Sequence, residues 1–233
     1  MKVTPEIKTL LDAIRSHEAP KGYGQIYSGA RGVSLKADVS KMTLDGVLNF
    51  QSQMLAGKSK STACGGYQFL RKTLKATIQG MGLKGNEVWT PELQDRMAVY
   101  LVEQRGLPRF LAGRISRTEF ANNLAKEWAS LPVVSTVQGG SRIVNRGQSF
   151  YAGDGLNKSF HKPAVIESLL DAIKAQKEAP TAPPMSPAPA VPPSPESPPV
   201  AQSGDGKPTI QKVMVWLIGA GVAAIAAWLG FGG

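Results

Sequence analysis

The chain has 233 residues, of which 42% are hydrophobic and 19% charged, a composition typical of a globular protein that buries one good core. Its net charge is +10, and this whole surplus lies in residues 1–178, because residues 179–233 hold two basic and two acidic side chains. The single cysteine, Cys64, excludes an intrachain disulfide. A basic domain indicates a polyanionic partner (nucleic acid, anionic lipid or the bacterial wall), although scattered charges also fit a merely soluble surface.

The amino-terminal segment predicts a helix over residues 4–18. Thr4 suits the N-cap and Pro5 the first helical position, and Pro20 ends the helix. The apolar residues of the segment recur at helical spacing: Ile7, Leu10, Leu11 and Ile14. The same stretch lacks the continuous apolar run of a signal peptide, so we expect no cleaved leader.

The middle of the chain predicts further helices and one small hairpin. Residues 22–39, rich in Gly, Tyr and Val, indicate an irregular β-hairpin. Three helices are predicted after it, at about 43–56, 66–81 and 90–105. Ser116 and Glu119 form a capping box for another helix. This helix carries three large apolar residues on one face: Phe120, Leu124 and Trp128.

A long loop is predicted for about 132–161, followed by a final helix. The apolar stripe of this helix consists of Val165, Ile166, Leu169, Leu170 and Ile173. The expected fold class is therefore mostly α, of the α+β kind, with a helical domain over residues 1–178 and one small β-hairpin.

The last 55 residues predict a spacer and a membrane helix. Residues 179–208 contain 11 prolines among Ala and Ser, a composition that favours an extended linker. Within the final segment, 209–233, residues 213–233 carry no charge and as a helix would span roughly 30 Å, the thickness of a bilayer core. Small residues four apart, such as Gly219 and Ala223, predict that this helix also forms homo-oligomers.

Four tracts carry a family resemblance that covers about residues 1–160: IRSHEAPKGYGQIYSG, KSTACGGYQFLRKTL, LQDRMAVYLVEQRGLPRFL and NNLAKEWASLP. Together they resemble phage lysozyme-like muramidases, most closely the lambda-endolysin type of lytic transglycosylase. The resemblance implies a phage or prophage enzyme that cleaves peptidoglycan strands between N-acetylmuramic acid (MurNAc) and N-acetylglucosamine (GlcNAc), without a metal or other cofactor.

In that family the glutamate of the Ser-x-Glu tract is the catalytic acid, which here is Glu18. Its position at a helix carboxyl end also favours a raised pKa. Related two-domain phage lysozymes place an Asp and a Thr after this glutamate, whereas this chain has Tyr27 and Val33. The resemblance therefore implies that the 6-hydroxyl of MurNAc attacks and leaves a 1,6-anhydro product; Asp38 is the candidate base if water attacks instead.

The resemblance also implies a substrate-binding set that consists of Tyr23, Gly65, Gly66, Tyr67 and Gln68. Tyr67 and Gln68 are expected to open the helix that lines the cleft and to bind sugar hydroxyls and acetamides. Gly65 and Gly66 would let the glycan approach the backbone closely. Core packing is an alternative for Tyr67 and Gln68, and it is the favoured interpretation of Trp128.

Three rival functions stay open on sequence alone. The first is a virion structural or membrane-inserting protein whose lysozyme-like domain only binds the wall. The second is an amidase that uses Cys64 and His161. The third is nucleic-acid binding through the net charge, for which the chain has no specific motif.

The location of the protein is also open. Lys207 and Lys212 precede the membrane helix and by the positive-inside rule favour a cytoplasmic domain, where there is no wall to cleave. A membrane-anchored protein of the host envelope, held inactive until the membrane fails, or a virion component delivered from outside would reconcile the two.

Overall fold

The computed structural model describes residues 3–139, 142–153 and 158–178, which form helices and one small hairpin. The helices are α1 (Pro5–Glu18), α2 (Leu44–Ala56), α3 (Arg71–Gly80), α4 (Pro91–Gln104), α5 (Leu107–Leu111), α6 (Arg117–Ala125) and α7 (Pro163–Glu178). A 3-10 turn, Val39–Lys41, precedes α2, and the strands β1 (Val137–Gln138) and β2 (Ile143–Val144) pair antiparallel between α6 and α7. The expected class, a mostly helical domain with one small hairpin, is confirmed.

Four helices begin at a Ser or Thr whose side-chain oxygen accepts a backbone N–H of the first turn. The caps are Thr4, Thr43, Thr90 and Ser116, with donor–acceptor distances of 3.0–3.4 Å. Such caps satisfy amides that have no partner inside the helix. The predicted starts of α1, α2, α4 and α6 are confirmed.

The hairpin predicted for residues 22–39 is wrong. The segment instead pairs with a distant stretch, because Tyr27 N–H donates to the Ala63 carbonyl (2.9 Å) and Gly65 N–H to the Gln25 carbonyl (2.7 Å). Apart from the 3-10 turn at its end, the segment runs as turns and bends.

The helix predicted for 66–81 begins later, at Arg71. Residues 64–69 form a tight turn in which Cys64 and Phe69 exchange backbone hydrogen bonds of 3.2 and 2.8 Å. Gln68 has φ +48° in this turn, a left-handed conformation that no helix can contain. The expectation that Tyr67 and Gln68 open the helix is therefore wrong.

The regions after α4 also depart from expectation. The short helix α5 was not predicted, and α6 ends at Ala125, so Trp128 lies beyond the helix on which it was placed. The stretch predicted as a long loop, 132–161, contains the β1–β2 hairpin.

Helix α1 packs against α4 and α7. The inward faces of the helices contribute to one continuous apolar core, in which Trp89 and Phe120 are fully buried. The final helix, predicted from its apolar stripe, is confirmed as α7; it buries Ile166, Leu170 and Ile173 and leaves Val165 exposed. The carboxyl end of α1 is consequently held in place by elements from both halves of the domain.

Three predictions fall outside the described residues: the proline-rich linker 179–208, the membrane helix within 209–233 and its self-association. Among the helices that the structure describes, none is long and apolar enough to cross a bilayer.

Candidate active-site cleft

A cleft of about 990 Å³ opens on the surface at the carboxyl end of α1. Its walls come from five parts of the chain: the end of α1, Tyr27 in the segment before α2, the stretch from the end of α2 through α3, the segment directly after α6, and Tyr151 after the hairpin. The lining residues are Glu18, Tyr27, Leu55, Ser59, Lys60, Ser61, Thr62, Ala63, Tyr67, Gln68, Leu70, Arg71, Lys72, Lys75, Ala76, Gln79, Glu127, Trp128, Ala129 and Tyr151.

Glu18, the last residue of α1, presents a partly buried carboxyl group to this cleft. Its Oε1 accepts a hydrogen bond from the backbone N–H of Ser130 (3.1 Å), and its own carbonyl accepts one from Gln25 Nε2 (3.2 Å). Burial raises the pKa of Glu18, and hydrogen bonding by Ser130 and the charge of His17 oppose the rise. The direction of this pKa shift agrees with the sequence argument. Its largest cause in the structure is desolvation, whereas the sequence argument relied on the helix dipole.

The turn 64–69 is shaped by the protein behind it. Gly65 has φ +79°, and a Cβ there would lie 2.5 Å from Trp89 Cη2 and 2.6 Å from Gln94 Oε1. At Gly66 a Cβ would lie 2.8 Å from the Tyr23 ring, and the Gly66 N–H donates to Gln94 Oε1 (2.7 Å). Neither glycine is among the lining residues, so what the structure shows for both is a packing role.

Two tyrosines converge on one carboxylate behind the turn. Tyr67 Oη and Tyr23 Oη donate to the same oxygen of Asp95, over 2.6 and 2.8 Å. Burial raises the pKa of Tyr67 and raises that of Tyr23 to about 12, so both hydroxyls keep their protons at neutral pH. Tyr67 still lines the cleft although only 2% of it is exposed, whereas Tyr23 lies outside the lining and packs against Arg15.

Gln68 lines the cleft in its left-handed conformation. Its Nε2 donates to the Gly65 carbonyl (2.8 Å), which closes the turn from the side chain. The side-chain amide is thus held in one place beside Tyr67. In this position its carbonyl oxygen can accept a hydrogen bond from a sugar hydroxyl.

A second carboxylate, Glu127, lines the same cleft. Arg105 holds one of its oxygens through Nε (2.7 Å) and Nη2 (2.5 Å). Glu127 stands in the tract NNLAKEWASLP, but in the sequence nothing distinguished it from a solvated helix residue. Asp38, the sequence candidate for a base, is not in the lining; its carboxylate accepts from the N–H and the hydroxyl of Ser40.

Apolar and aromatic groups complete the lining. Leu55, Leu70 and Tyr151 are 54%, 49% and 41% exposed. Trp128 is buried, as expected from the sequence, and also contributes to the cleft wall. Such surfaces match the apolar faces of sugar rings, which a glycan strand presents between its hydroxyls.

The rival site made of Cys64 and His161 does not form. Burial raises the pKa of the Cys64 thiol to about 12, and its Sγ lies 3.9 Å from Met54 Sδ in the core. His161 instead packs edge-on against His17 and hydrogen-bonds through Nε2 to the Ala13 carbonyl (3.0 Å). Within the described ranges, no group of three or more His, Cys, Asp or Glu side chains is placed to hold a metal ion.

The family model described as Endolysin matches residues 9–155. This stretch is more than half of the chain and contains every residue that lines the cleft. No curated protein matches the chain.

Proposed function

Because the chain belongs to the endolysin family, which comprises phage enzymes that degrade the bacterial cell wall, we propose that it is a peptidoglycan lytic transglycosylase. The bond cleaved is the one between MurNAc and GlcNAc, and the product carries a 1,6-anhydro ring. The observation that carries the proposal is the partly buried carboxyl of Glu18, which faces the cleft with a raised pKa.

Glu18 is the general acid of the proposed reaction. A carboxyl group with a raised pKa keeps its proton closer to neutral pH and can donate it to the glycosidic oxygen as the bond breaks. The resulting carboxylate then takes the proton from the 6-hydroxyl of MurNAc, whose oxygen bonds to the anomeric carbon. The hydrogen bond from Ser130 N–H orients Oε1 throughout and stabilises the charged form between the two steps.

The other carboxylates favour this mechanism over hydrolysis. A hydrolytic glycosidase needs a second carboxylate, either to act as nucleophile or to activate water. Asp38 lies outside the cleft lining, and Arg105 holds one oxygen of Glu127 in an ion pair. We therefore propose that the 6-hydroxyl of the substrate is the nucleophile.

Substrate binding is proposed for Tyr67 and Gln68, which line the cleft beside Glu18. Tyr67 Oη already donates to Asp95, so it meets the sugar as a ring surface or as an acceptor. The role proposed for Tyr23, Gly65 and Gly66 is indirect. They hold the turn 64–69 in the conformation that presents these two side chains to the cleft.

The test compares Glu18→Gln with Glu127→Gln on purified peptidoglycan. We expect Glu18→Gln to lose at least about a hundredfold in kcat/KM, the scale of general acid catalysis, because Gln has no proton to transfer. Glu127→Gln keeps a hydrogen-bond acceptor for Arg105 and should retain most activity. Mass spectrometry should show 1,6-anhydro ends in the wild-type products.

Three outcomes would contradict the proposal. A wild-type product heavier by one water, together with loss of activity in Glu127→Gln, would indicate hydrolysis by paired carboxylates. Full activity of Glu18→Gln would remove this residue from the mechanism. Binding of peptidoglycan without any cleavage by the wild type would favour the wall-binding virion protein.

A membrane location is proposed for the same enzyme through residues 213–233, in the host envelope or in the virion. The support is the uncharged sequence of that segment and the proline-rich spacer before it. Fractionation of infected cells and of purified particles, comparing the full chain with one that ends at residue 178, tests both locations.

A further inference from the structure

Four basic side chains line one part of the cleft: Lys60, Arg71, Lys72 and Lys75. The stretch that contains them has an unusual charge pattern, since no Asp or Glu occurs between Asp45 and Glu87. The nearest acidic groups of the lining, Glu18 and Glu127, come from other parts of the chain. We call the four side chains the basic wall.

The basic wall has no ion-pair partner among the residues that the structure describes. Among the described residues, none of its four cations forms an ion pair with an Asp or Glu, whereas Lys8, Lys41, Arg105 and Arg117 all do. Arg71 is held in place by neutral groups: its Nε donates to Ser52 Oγ (3.0 Å), and its backbone N–H donates to Thr62 Oγ1 (3.0 Å). These contacts position the guanidinium, and both of its partners are neutral.

Lys72 and Lys75 extend the wall along α3. They are exposed and three residues apart, so they lie on the same helix face, which continues through Ala76 and Gln79. Like charges on one face repel one another, and a concave surface with low-dielectric walls concentrates their field. An anionic ligand in the cleft would relieve this repulsion.

The sugar rings of a peptidoglycan strand supply no negative charge, but the peptide stems on the lactyl groups of MurNAc carry free carboxylates. We propose that the basic wall binds these stem carboxylates, so that the cleft selects glycan that still carries its peptides. This inference rests on the proposed function, because it concerns a part of the same substrate. It makes the wall a determinant of specificity, and catalysis stays with Glu18.

The experiment measures kcat/KM of the full chain on two substrates: glycan strands with their stems, and the same strands after an amidase has removed them. The amidase hydrolyses the amide bond to the lactyl group, so each MurNAc of the second substrate keeps one lactyl carboxylate and loses only the carboxylates of the stem. The variant Lys72→Gln/Lys75→Gln removes two charges from the wall. The matched control, Lys36→Gln/Lys84→Gln, removes two exposed charges that are not in the lining. Wild type should prefer the stem-bearing strands through a lower KM.

In the wall variant this preference should fall by about 3- to 10-fold, as expected for two exposed ion pairs, and in the control it should not change. Added salt should reduce the wild-type preference in the same way, since screening weakens exposed ion pairs. An unchanged preference in the wall variant, or an equal loss on both substrates, would overturn the inference. So would a loss seen only on walls that carry teichoic acid, because the ligand would then be phosphate.

Failure of the inference can be told apart from failure of the proposed function. If the inference is wrong, the wild type still cleaves both substrates to 1,6-anhydro products, but the wall variant does not alter its preference. If the proposed function is wrong, neither substrate yields such products.

Discussion

The turn 64–69 and the basic wall are adjacent in the chain and border the same cleft, yet they are fixed by opposite means. Three residues of the turn, Gly65, Gly66 and Tyr67, are each held by buried or partly buried partners from α4 or the segment before it. Lys72 and Lys75 on α3 are exposed and have no ion-pair partner among the described residues. The distinctive sequence of the turn therefore reflects the packing that shapes the site, whereas the lysines beside it are exposed and can contact a ligand. Substitutions in the turn should therefore change the stability of the fold, and substitutions in the basic wall should change the preference for substrate.

The largest expected effect is on stability, from Gly65→Ala. The added Cβ meets Trp89 and Gln94, and the left-handed φ disfavours a side chain, so we expect a loss of about 3 kcal/mol in the free energy of unfolding. Urea denaturation measures it. Gly82→Ala is the matched control, because Gly82 has φ +65° with nothing within 4 Å, and it should cost only about 1 kcal/mol. Equal losses in both variants would show that the turn is not packed as described.

Tyr67→Phe should have the next largest effect. Removal of the hydroxyl leaves Asp95 with one tyrosine donor, Tyr23, and should cost about 1–2 kcal/mol of stability, with a smaller change in activity. Tyr23→Phe, at the more exposed of the two rings, should cost less. If Tyr67→Phe lowered kcat/KM tenfold while leaving unfolding unchanged, the hydroxyl would be a substrate contact, and the contrast between the two regions would weaken.

The smallest expected effect is a pH-dependent gain in stability from Glu18→Gln. Burial raises the pKa of Glu18 in the folded protein above the ordinary glutamate value of 4.5. Below that value the carboxyl is protonated in both the folded and the unfolded protein, so it does not change the free energy of unfolding. As the pH rises through the folded pKa, ionisation of the buried group lowers the free energy of unfolding. The Gln variant avoids this loss, so its melting temperature should exceed that of the wild type at neutral pH and match it near pH 4.

Glu92→Gln is a control of opposite sign. Hydrogen bonding at the start of α4 lowers the pKa of Glu92, so its ionised form stabilises the fold above the ordinary value. This variant should be less stable than the wild type at neutral pH and equal to it in acid. If Glu18→Gln also lowered the stability at neutral pH, as Glu92→Gln should, the site around Glu18 would favour the charged carboxylate.

Elements with local signals could be predicted from the sequence. Helices α1 and α4 each begin with a Thr cap followed by Pro, and both signals act within one turn of helix. The hairpin assigned to 22–39 failed because that segment pairs with Ala63 and Gly65, a contact between distant parts of the chain that periodicity does not encode. The left-handed conformation of Gln68 could not be predicted from the sequence either, since a non-glycine residue adopts it only under tertiary constraint.

For the candidate site, the family resemblance led to Glu18, which the structure places in the cleft. Glu127 and the basic wall were present in the sequence but were not singled out. A glutamate on a polar helix and a few lysines are usually solvated, and only the fold brings them to one cleft. The long stretch without Asp or Glu from Gly46 to Asn86 was the available signal for the wall.

The hydrogen bond from Ser130 to Glu18 bears on how the protein is made. It joins residues that are 112 positions apart, and the contact between His161 and Ala13 spans 148. Helix α1 leaves the ribosome before the other described helices, and the partners that surround its carboxyl end emerge only when synthesis of the domain is nearly finished. Folding that depends on such distant pairings is slow compared with helix formation. We therefore expect unfinished chains in the producing cell to lack the arrangement around Glu18, so that the activity proposed for this residue arises only after each domain is complete.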